Sequence, residues 1–496
     1  MFWQNYPLIR LIIPFTLGMI GANLFISHMN GVVLFLLCCG VLAFSFFFLK
    51  TSDTYKDGRF GFVAMMLFCL ISMTLYTSKY RHIENGMPVD STFVQGTLVE
   101  LPQEKAHSWA LELEQENGAH IILYIGGKES KELSLGDTIF ANIRHLHPTH
   151  LCENDTFRIY NSYLFHQGIC ATAYTPPHQW RVQPCTTGRP LLLSAKNVQE
   201  RLHQIYEEHG ISDEAGSIIE AMTIGRKADL SKETRTAFAH AGISHILALS
   251  GFHVGIIVLM IQVFFLKNML PLRWQWVSNI VIIITLWRYA FLTGLSPSLV
   301  RATTMFTILL LCQSFHRDAL SLNSCALAFF IMLCINPFYL HEIGFQLSFI
   351  AVGSISIFNR RIITSCPSHN AWIRLLWSTV SITLLCSIFT APLVAVHFGR
   401  VPLFTIASNL AVLPFVYLLM LGSILWWLFL WCEPINSILT DLLNWTTNTM
   451  NSITHQISTL PYATIHWQPN AWITCVCYAI LLILTYFILT HKSTKA

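Results

Sequence analysis

The chain has 496 residues, of which 53% are hydrophobic and only 11% are charged. An ordinary soluble domain carries about 25% charged residues, so this composition excludes a soluble enzyme of the usual kind. A mean hydropathy of +0.52, with 14 Trp and 34 Phe, indicates apolar surface buried in lipid rather than in one protein core. The composition therefore predicts a polytopic α-helical membrane protein.

Positive charge is concentrated in one apolar block of the chain. Residues 243–431 hold nine basic residues and two acidic ones, Asp318 and Glu342, whereas residues 1–242 have a net charge of −3. The resulting charge of +7 in the apolar block has two open interpretations. It fits orientation charge on cytoplasmic loops, and it also suits an anionic substrate.

The N-terminal residues 1–79 are expected to form three transmembrane helices. The connection between the second and third helices holds three basic residues, whereas the connection between the first and second holds none. The positive-inside rule therefore places the N-terminus in the cytoplasm and residues 80–240 outside it. The three predicted spans cover residues 8–27, 31–49 and 60–78.

Residues 80–189 are polar and predict an inserted extracytoplasmic β domain. Five short stretches alternate between apolar and polar residues, which is typical of strands in a small barrel such as an OB-fold. After this OB-like domain, residues 190–242 predict a helical linker. The five strands are expected at Phe93–Val99, Trp109–Leu113, His120–Ile125, Thr138–Ile143 and Ile169–Tyr174.

The second membrane block, residues 243–431, is expected to be one transmembrane domain. Its last span is long and contains Pro414, so it could be a broken pair of helices. Residues 432–496 are expected to form an amphipathic helix in the membrane interface and a final transmembrane helix. The predicted spans lie near 243–266, 275–293, 298–316, 319–338, 343–359, 375–398, 402–431 and 471–490.

Three cysteines, Cys152, Cys170 and Cys185, lie in the polar stretch. If that stretch faces an oxidising compartment, two of them can form a disulfide. The expected pair is Cys170 with Cys185, which would close a loop of about 15 residues and stabilise the domain by about 3 kcal/mol.

The segment ALSGFHVGII places Ser250, Gly251, His253 and Gly255 in an apolar span. Small residues four apart let a second helix approach closely, whereas an ionisable side chain at membrane depth usually faces a cavity or a protein partner. Ser250 and His253 also suggest a membrane-embedded hydrolase or transferase. No carboxylate is near them in the sequence to complete a catalytic triad, so we expect no catalytic residue.

A second motif, GLSPSLVRATTM, predicts a helix start and an anion site. Ser296 is a good N-cap and Pro297 suits the first helical position. Arg301 then lies about one turn inside the helix, where its charge adds to the positive helix end. The alternatives are an arginine that snorkels to the interface, a structural pair with Glu342, and a transporter site for a small anion or lipid. Ser298 belongs to the same candidate path.

Other polar residues in apolar segments are candidates for a channel lining. Gln346, Ser348 and Asn409 fit such a lining about as well as they fit hydrogen bonds between helices. The histidines of RHLHPTH, from Arg144 to His150, have the spacing of a zinc site, but Thr149 replaces the expected aspartate. We therefore predict no metal site there, and no cofactor.

Together these motifs resemble the ComEC-type competence family, the bacterial channels that bring single-stranded DNA across the inner membrane. The similar segments are HAGISHILALSGFHVGI, TGLSPSLVRATTM, GFQLSF, the TAP of 390–392 and SNLAVLP, in the family's order. Upstream, FRIYNSYLFHQGICATAY resembles the end of the family's OB-like domain. Many members continue into a metallo-β-lactamase-like domain, which is expected to be missing from a chain that stops at Ala496.

The resemblance implies an inner-membrane channel that passes single-stranded DNA into the cytoplasm during natural transformation, and not an enzyme. The expected partners are single-stranded DNA, membrane lipid and an extracytoplasmic DNA receptor. Because the sequence has no GxxxxGK[ST] motif, energy is expected from a separate cytoplasmic ATPase or DNA-binding protein. Whether the chain forms a homo-oligomer is left open.

Overall fold

The structure is a computed structural model with two compact units. The first comprises Met1–Asn197 and Ala326–Glu342, and the second comprises Val198–Cys325 and Ile343–Ala496. These units do not coincide with the predicted domain boundaries, which stay a prediction. The structure describes residues 7–26, 40, 59–88, 92–105, 107–126, 133–150, 155–184, 191–211, 213–263, 275–314, 322–366, 368 and 370–491.

Helices account for most of the described chain. A short 3-10 helix, Pro337–His341, follows the tenth α-helix. The α-helices are α1 (Pro7–Phe25), α2 (Arg59–Glu84), α3 (Asp155–His166), α4 (Leu191–Glu208), α5 (Asp213–Thr223), α6 (Lys232–His240), α7 (Gly251–Ile261), α8 (Gln275–Leu292), α9 (Pro297–Ser314), α10 (Leu322–Ile335), α11 (Ile343–Thr364), α12 (Ala371–Phe398), α13 (Thr405–Leu428), α14 (Glu433–Ser458) and α15 (Ala471–His491).

Among the described residues, five helices are long and apolar enough to cross a membrane, namely α1, α2, α12, α13 and α15. The chain is therefore a multi-pass membrane protein, as its composition predicts. The predicted second span, 31–49, lies outside the described residues, apart from residue 40. α13 runs unbroken through Pro414, so the broken pair considered for this segment does not form.

In the described part of the predicted span 243–266, which ends at residue 263, the helix begins only at Gly251. Residues 241–250 are irregular, and α7 begins at Gly251. Gly242 has a left-handed φ of 78°, a conformation that ends the preceding α6 and that a side chain would strain. The 11 residues of α7 end at Ile261, close to the end of the described part of this segment.

The β domain belongs to the first unit, and its described residues form eight strands. Their order in the sheet is β6-β7-β4-β3-β1-β5-β8, with β2 paired to β3. All neighbours are antiparallel except β4 and β7, which are parallel. The strands are β1 (Phe93–Leu98), β2 (Gln103–Glu104), β3 (Ser108–Glu114), β4 (His120–Gly126), β5 (Thr138–Asn142), β6 (His145–Pro148), β7 (Ile169–Thr175) and β8 (Trp180–Gln183).

All five predicted strands are present, because burial follows their period of two. In β4, for example, Ile121, Leu123 and Ile125 point into the core while the residues between them are half-exposed. The sequence interpretation missed β2, β6, β8 and α3. The strand order ends at β6 on one side and at β8 on the other, and these two strands are not paired with each other. The closed barrel that was expected is therefore not established.

The membrane helices of the first unit pack together through aromatic side chains. α1 and α2 are in extensive contact, and Phe15 and Phe68 both meet Phe330 of α10, with ring centroids 4.8 and 5.6 Å apart. This packing explains why a segment distant in sequence, Ala326–Glu342, belongs with the N-terminal helices.

The second unit has a core of buried apolar side chains on α4–α9, α13 and α14. Helix α14 forms within residues 432–496, where an amphipathic helix in the membrane interface is predicted. It packs on α13, α6 and α5. Its threonines can be buried because Thr446, Thr447 and Thr454 each donate to the carbonyl four residues earlier. Leu443 and Met450 of the apolar side are buried as well, whereas Ile438 is 69% exposed, so α14 buries threonines together with part of its apolar side.

Two further short strands, β9 (Arg400–Pro402) and β10 (Thr464–His466), pair antiparallel in the second unit. They tie the start of α13 to the segment that precedes α15. This pairing was not predicted.

Candidate functional site

Helix α9 begins at Pro297, as its sequence predicts. The amides of Leu299 and Val300 both donate to the carbonyl of Ser296 at 3.0 Å. Gly294 and Leu295 have left-handed φ angles of 74° and 54°, which turn the chain into the helix. The Ser296 hydroxyl is buried and has no hydrogen-bond partner in the part of the chain that the structure describes. The helix start is therefore confirmed, whereas capping by the serine side chain is not seen.

Arg301 lies one turn inside α9 and is only 5% exposed. Its guanidinium lies against Gly344, at the N-terminus of α11. A Cβ placed on Gly344 would be 2.7 Å from Arg301 Nη2, closer than real Cβ atoms approach their neighbours. Glycine is therefore needed at 344 if the guanidinium is to reach the beginning of this helix.

The N-terminus of a second helix also meets this turn of α9. A Cβ on Gly251, the first residue of α7, would make an ordinary contact of 3.8 Å with Ala302 Cβ. A Cβ on Gly255 would lie 3.5 Å from Phe306 Cζ, so both glycines face α9, but each has room for a Cβ and the close approach that requires glycine stays a prediction.

Ser250 and His253 contact each other at the N-terminus of α7. His253 Nδ1 accepts a hydrogen bond from the Ser250 amide at 3.3 Å and lies 3.1 Å from the Ser250 hydroxyl. This is the histidine version of a capping-box contact, in which the third helical residue caps the backbone amide before the helix. The His253 ring is completely buried, and its Nε2 has no hydrogen-bond partner among the described atoms.

These residues place the N-terminus of α11 against the buried Arg301 and the N-terminus of α7 against the next residue of α9, Ala302. Each helix N-terminus carries free amides and about half a positive charge, and the guanidinium adds a full charge. The combination favours an anion, and a phosphate suits both the amides and the planar guanidinium. The competing pair of Arg301 with Glu342 stays a prediction, because Glu342 belongs to the other unit.

The remaining predicted lining residues are not brought together in this way. The Ser348 hydroxyl donates to the Gly344 carbonyl at 2.8 Å and so serves its own helix, α11. Ser298 and Gln346 are half-buried on the first turns of α9 and α11. Asn409 is buried in α13, and its Oδ1 has no hydrogen-bond partner within the described ranges. Their role as a DNA path stays a prediction.

Sequence reasoning missed three residues, of which Gly344 contacts Arg301, Thr303 lies on α9 and Ser408 lies on α13. Gly344 opens GFQLSF, but only its contact with Arg301 shows why a glycine is needed there. Thr303 and Ser408 are completely buried, and their hydroxyls find no hydrogen-bond partner among the described residues. A hydroxyl in an apolar segment was their only signal, and membrane helices contain many such hydroxyls.

The predicted Cys170–Cys185 disulfide is not formed in the structure. Cys170 is a free, fully buried thiol whose sulfur donates to the His120 carbonyl at 3.2 Å. Burial raises the pKa of this thiol to about 11. Cys185 and Cys152 lie outside the described residues, so pairing between those two is untested.

A separate group in the second unit has the spacing of metal ligands. His203, Glu220 and Asp229 bring their ligand atoms within 4.8 Å of one another. Arg226 lies among them and contacts Asp229, and it is 3.6 Å from Glu220. His203 Nδ1 is 2.9 Å from Glu220, so charge pairing accounts for the cluster without a metal ion.

The candidate site lies within the segment that matches a known protein family. The family model described as Competence protein matches residues 222–491, which is more than half of the chain. Residues 250–253, 296–303, 344–348 and 408–409 all fall inside this match. No solved structure matches the chain.

Curated relatives agree with the family match. ComE operon protein 3 of Bacillus subtilis is 25% identical over 345 residues, which cover 68% of this chain and 41% of that protein. An uncharacterised protein of Aquifex aeolicus is 32% identical over 160 residues, covering 32% of this chain and 37% of the relative. Recombination protein 2 of Haemophilus influenzae is 25% identical over 169 residues, covering 32% and 21%. The chain thus matches less than half the length of each relative, and by the family match it belongs to the ComEC-type competence protein family.

Proposed function

We propose that this chain forms an inner-membrane channel through which single-stranded DNA passes into the cytoplasm during natural transformation. The observation that carries the proposal is the contact of the buried Arg301 with the N-terminus of α11 at Gly344, with the N-terminus of α7 at Gly251 packed on the neighbouring Ala302. Membership of the competence family supports it, and so does the excess of basic residues in 243–431.

The chemistry of the site fits a nucleic-acid backbone. A translocating strand presents one phosphate after another, so a channel needs a cationic contact that binds each phosphate and then releases it. The free amides at the helix ends and one arginine provide such a cationic contact without a metal ion. Ser250, His253, Ser296 and Ser298 lie close in sequence to these helix ends and are proposed to line the same path.

We propose further that the β domain is an irregular OB-like barrel. Only Ile143 and Arg144 separate β5 from β6, and both continue the hydrogen bonding of the sheet. The Ile143 amide donates to the Thr92 carbonyl at 2.7 Å, and the Arg144 amide donates to the Tyr174 carbonyl at 2.9 Å. Residues 138–148 can therefore act as one bent strand that connects β1 with β7 and closes the barrel.

Aromatic side chains on this domain support contact with bases. Tyr160 and Tyr163 on α3 are 48% and 53% exposed, and Tyr174 is 36% exposed, whereas Phe165 is buried in the core. Exposed tyrosines give stacking platforms that tolerate any base sequence. We propose that the domain faces the outside of the cell and guides the strand towards the membrane block.

We propose no catalytic role for Ser250. His253 Nδ1 is occupied in capping the Ser250 amide, and no carboxylate contacts His253 in the described chain. A covalent serine probe should therefore leave Ser250 unlabelled. Labelling of Ser250 would favour the hydrolase or transferase alternative.

Energy and strand delivery are assigned to partners. The chain lacks a P-loop, so we propose a separate cytoplasmic ATPase or DNA-binding protein and an extracytoplasmic DNA receptor. The apolar surfaces of the spanning helices are proposed to contact membrane lipid.

Substitution of Arg301 tests the proposal. With a phosphate contact, Arg301→Lys should retain part of DNA uptake, while Arg301→Gln should lower it about 10- to 150-fold, since hydrogen bonds to charged groups contribute roughly 1.5–3 kcal/mol. DNA binding and DNA internalisation are scored separately in transformation assays, and Arg288→Gln is the control because Arg288 is exposed on α8. Wild-type uptake by Arg301→Gln would refute the proposal.

The abundance of the Arg301→Gln protein in the membrane distinguishes a phosphate contact of Arg301 from a purely structural role. Loss of Arg301→Gln from the membrane would favour a structural pair for Arg301. A transporter for a small anion or lipid is the remaining alternative. It predicts that transport of such a molecule persists in a strain that cannot take up DNA.

A further inference from the structure

The ribbon of β9 and β10 lies where three membrane-spanning helices of the second unit have their ends. β9 begins two residues after α12 ends, and α13 begins three residues after β9 ends. α15 begins five residues after β10, which pairs with β9. All three helices are long and apolar enough to cross a membrane. Because these connections are short, the three helix ends lie on one side, and the ribbon lies at the boundary between membrane and water.

Aromatic side chains project from this ribbon and its flanks. Tyr462 and Trp472 are both 82% exposed, and Trp467 is 38% exposed. Tyr462 has a left-handed φ of 64°, a conformation that favours glycine over a residue with a side chain. Tryptophan and tyrosine are enriched at bilayer surfaces, because their rings combine an apolar body with a polar tip.

These aromatic side chains are continuous with an apolar surface that is exposed along a spanning helix. Trp472 lies in the first turn of α15, and only 6% of the spanning residues of α15 are buried. Ile473 and Val476, which follow it, are 46% and 55% exposed. A soluble surface rarely exposes so large an apolar patch. The phospholipid bilayer is therefore the neighbour that fits the aromatic side chains.

A group of basic side chains lies on the same ribbon. Arg400 Nη1 donates to Nε2 of His240, at the end of α6, at 2.8 Å. A guanidinium can only donate, so this nitrogen carries a lone pair and His240 is neutral. His466 lies directly opposite Arg400 in the register of the two strands, which puts both side chains on one face of the ribbon. Burial and the positive charges of Arg400 and His466 lower the pKa of His240.

No acid balances this group within the described chain. None of its three side chains forms an ion pair with a carboxylate there. Residues 343–496 hold only two acids, Glu433 and Asp441. Both lie in the first half of α14, and Asp441 is about 25 Å along the axis from the end of that helix at Ser458. Only Nη1 of Arg400 has a hydrogen-bond partner among the described residues, so its other donors are left for a ligand.

We propose that this surface binds the phosphate of an anionic phospholipid headgroup. We call it the ribbon surface, and it comprises His240, Arg400, Tyr462, His466, Trp467 and Trp472. The phosphate accepts hydrogen bonds from the Arg400 guanidinium, whose planar fork matches phosphate geometry. The aromatic rings lie at the level of the headgroups, and the acyl chains lie along α15.

Single-stranded DNA offers similar chemistry, since it has phosphates and has bases that stack on aromatic rings. The position of the ribbon surface favours the lipid. Its aromatic side chains continue the exposed apolar face of α15, and a hydrated polyanion loses solvation against such a face. Contact with DNA at this surface is therefore an outcome that the experiments must distinguish.

Lipid binding by the full-length chain tests the charged part of the ribbon surface. The chain is purified in detergent and titrated with short-chain phosphatidylglycerol or with phosphatidylcholine of the same length, and native mass spectrometry counts the bound lipid. The wild type should prefer phosphatidylglycerol. Arg400→Gln should lower the affinity for phosphatidylglycerol about 10-fold, the effect of one charged hydrogen bond, and Arg400→Lys should retain part of the affinity.

Two controls separate lipid binding from a structural role of Arg400. A glutamine amide can still donate to His240, so Arg400→Gln should melt at the same temperature as the wild type in detergent without added lipid. Arg235→Gln removes an exposed arginine of α6 that donates to the Lys227 carbonyl, and it should leave lipid affinity unchanged. Equal affinity of the wild type and Arg400→Gln for phosphatidylglycerol would overturn the proposal.

A photocrosslink identifies the occupant without altering Arg400. Benzoylphenylalanine replaces Tyr462 in the full-length chain, which is placed in nanodiscs of equal parts phosphatidylcholine and phosphatidylglycerol with a single-stranded oligonucleotide in solution. We expect position 462 to crosslink to phospholipid. The same replacement at Glu104, which is exposed among polar residues of β2, should give no lipid crosslink.

A crosslink from position 462 to the oligonucleotide, or to neither molecule, would also contradict lipid binding at the ribbon surface. Neither experiment requires transport of DNA, and Arg301 is not part of the ribbon surface. The proposed channel function is therefore tested separately from this inference.

Discussion

Arg301 and Gly344 are so close that the guanidinium lies where a side chain on residue 344 would begin. Nη2 is 2.7 Å from the position of a Cβ on residue 344. The contact joins the first turn of α9 to the first turn of α11, and it puts a fixed positive charge beside the free amides of a helix end. Such a charge is unfavourable there unless an anion is also present.

Gly344→Ala should lower DNA internalisation without loss of the protein. The new methyl group meets the flexible end of Arg301, so the guanidinium moves away while the helices stay in place. Interactions at helix ends contribute about 0.3–2 kcal/mol, which corresponds to a reduction of roughly 2- to 30-fold. Transformation frequency and membrane abundance are measured together.

Gly353→Ala in the same helix is the matched control. A Cβ at Gly353 would have no atom within 4 Å, so this change should leave uptake intact. It should even stabilise α11 by about 0.5–1 kcal/mol, because alanine is the better helix former. Equal loss of uptake in both variants would contradict the role of the Arg301–Gly344 contact.

His253→Gln should behave like the wild type, and His253→Ala should be less stable. Glutamine is a usual third residue of a capping box and can accept from the Ser250 amide as the histidine does. Loss of the cap in His253→Ala should cost about 0.5–2 kcal/mol in thermal unfolding. If His253 were a catalytic base, both variants would lose function equally, and that result would revive the enzyme hypothesis.

The β domain should be more stable in mild acid because of His120. A hydrogen bond of 2.9 Å from His120 Nδ1 to the Glu112 carboxylate raises the pKa of His120 above its ordinary value of 6.5. A raised pKa in the folded state means that the stabilisation is complete below pH 6.5 and is lost as the pH rises through the folded value. The pair is partly exposed, so the expected contribution is about 0.2–1 kcal/mol.

Amide hydrogen exchange of β3 and β4 measures this effect. The wild type should be better protected than Glu112→Gln below about pH 6.5, and the two should converge in alkaline solution. Comparing the variants at each pH removes the intrinsic dependence of exchange on pH. A difference that is the same at every pH would show that the ion pair does not form.

Cys170 should resist maleimide in the native protein and react after unfolding. The thiol is fully buried, and its pKa of about 11 leaves almost no thiolate at neutral pH. Mass spectrometry of native and denatured samples gives the labelled fraction of Cys170. Detection of a Cys170–Cys185 disulfide in the unreduced protein would instead restore the pairing that the sequence suggests.

Glu116→Cys should be labelled by a membrane-impermeant maleimide added to intact cells. Glu116 is exposed on the turn between β3 and β4, so a cysteine there reports the side on which the β domain lies. The loop charges predict the outside. Labelling only after the cells are opened would reverse the proposed orientation.

Several local elements of this protein could be predicted from its sequence alone. The strands at 93–98, 120–126 and 169–175 follow an alternation of apolar and polar residues that any half-buried strand requires. The start of α9 follows from Pro297, whose fixed φ suits the first position of a helix. These signals depend on neighbouring residues, and a single sequence contains them.

The site itself was decided only by the tertiary structure. The sequence indicated Arg301 and GFQLSF separately, but only packing shows that Gly344 admits the guanidinium. Likewise, Phe330 brings a distant segment to the N-terminal helices, and the buried threonines of α14 satisfy their hydroxyls within their own helix. Contacts between residues that are distant in sequence, such as those of Phe330, leave no pattern in the local order of residues. They depend on how whole helices pack, which is a cooperative property of the folded chain.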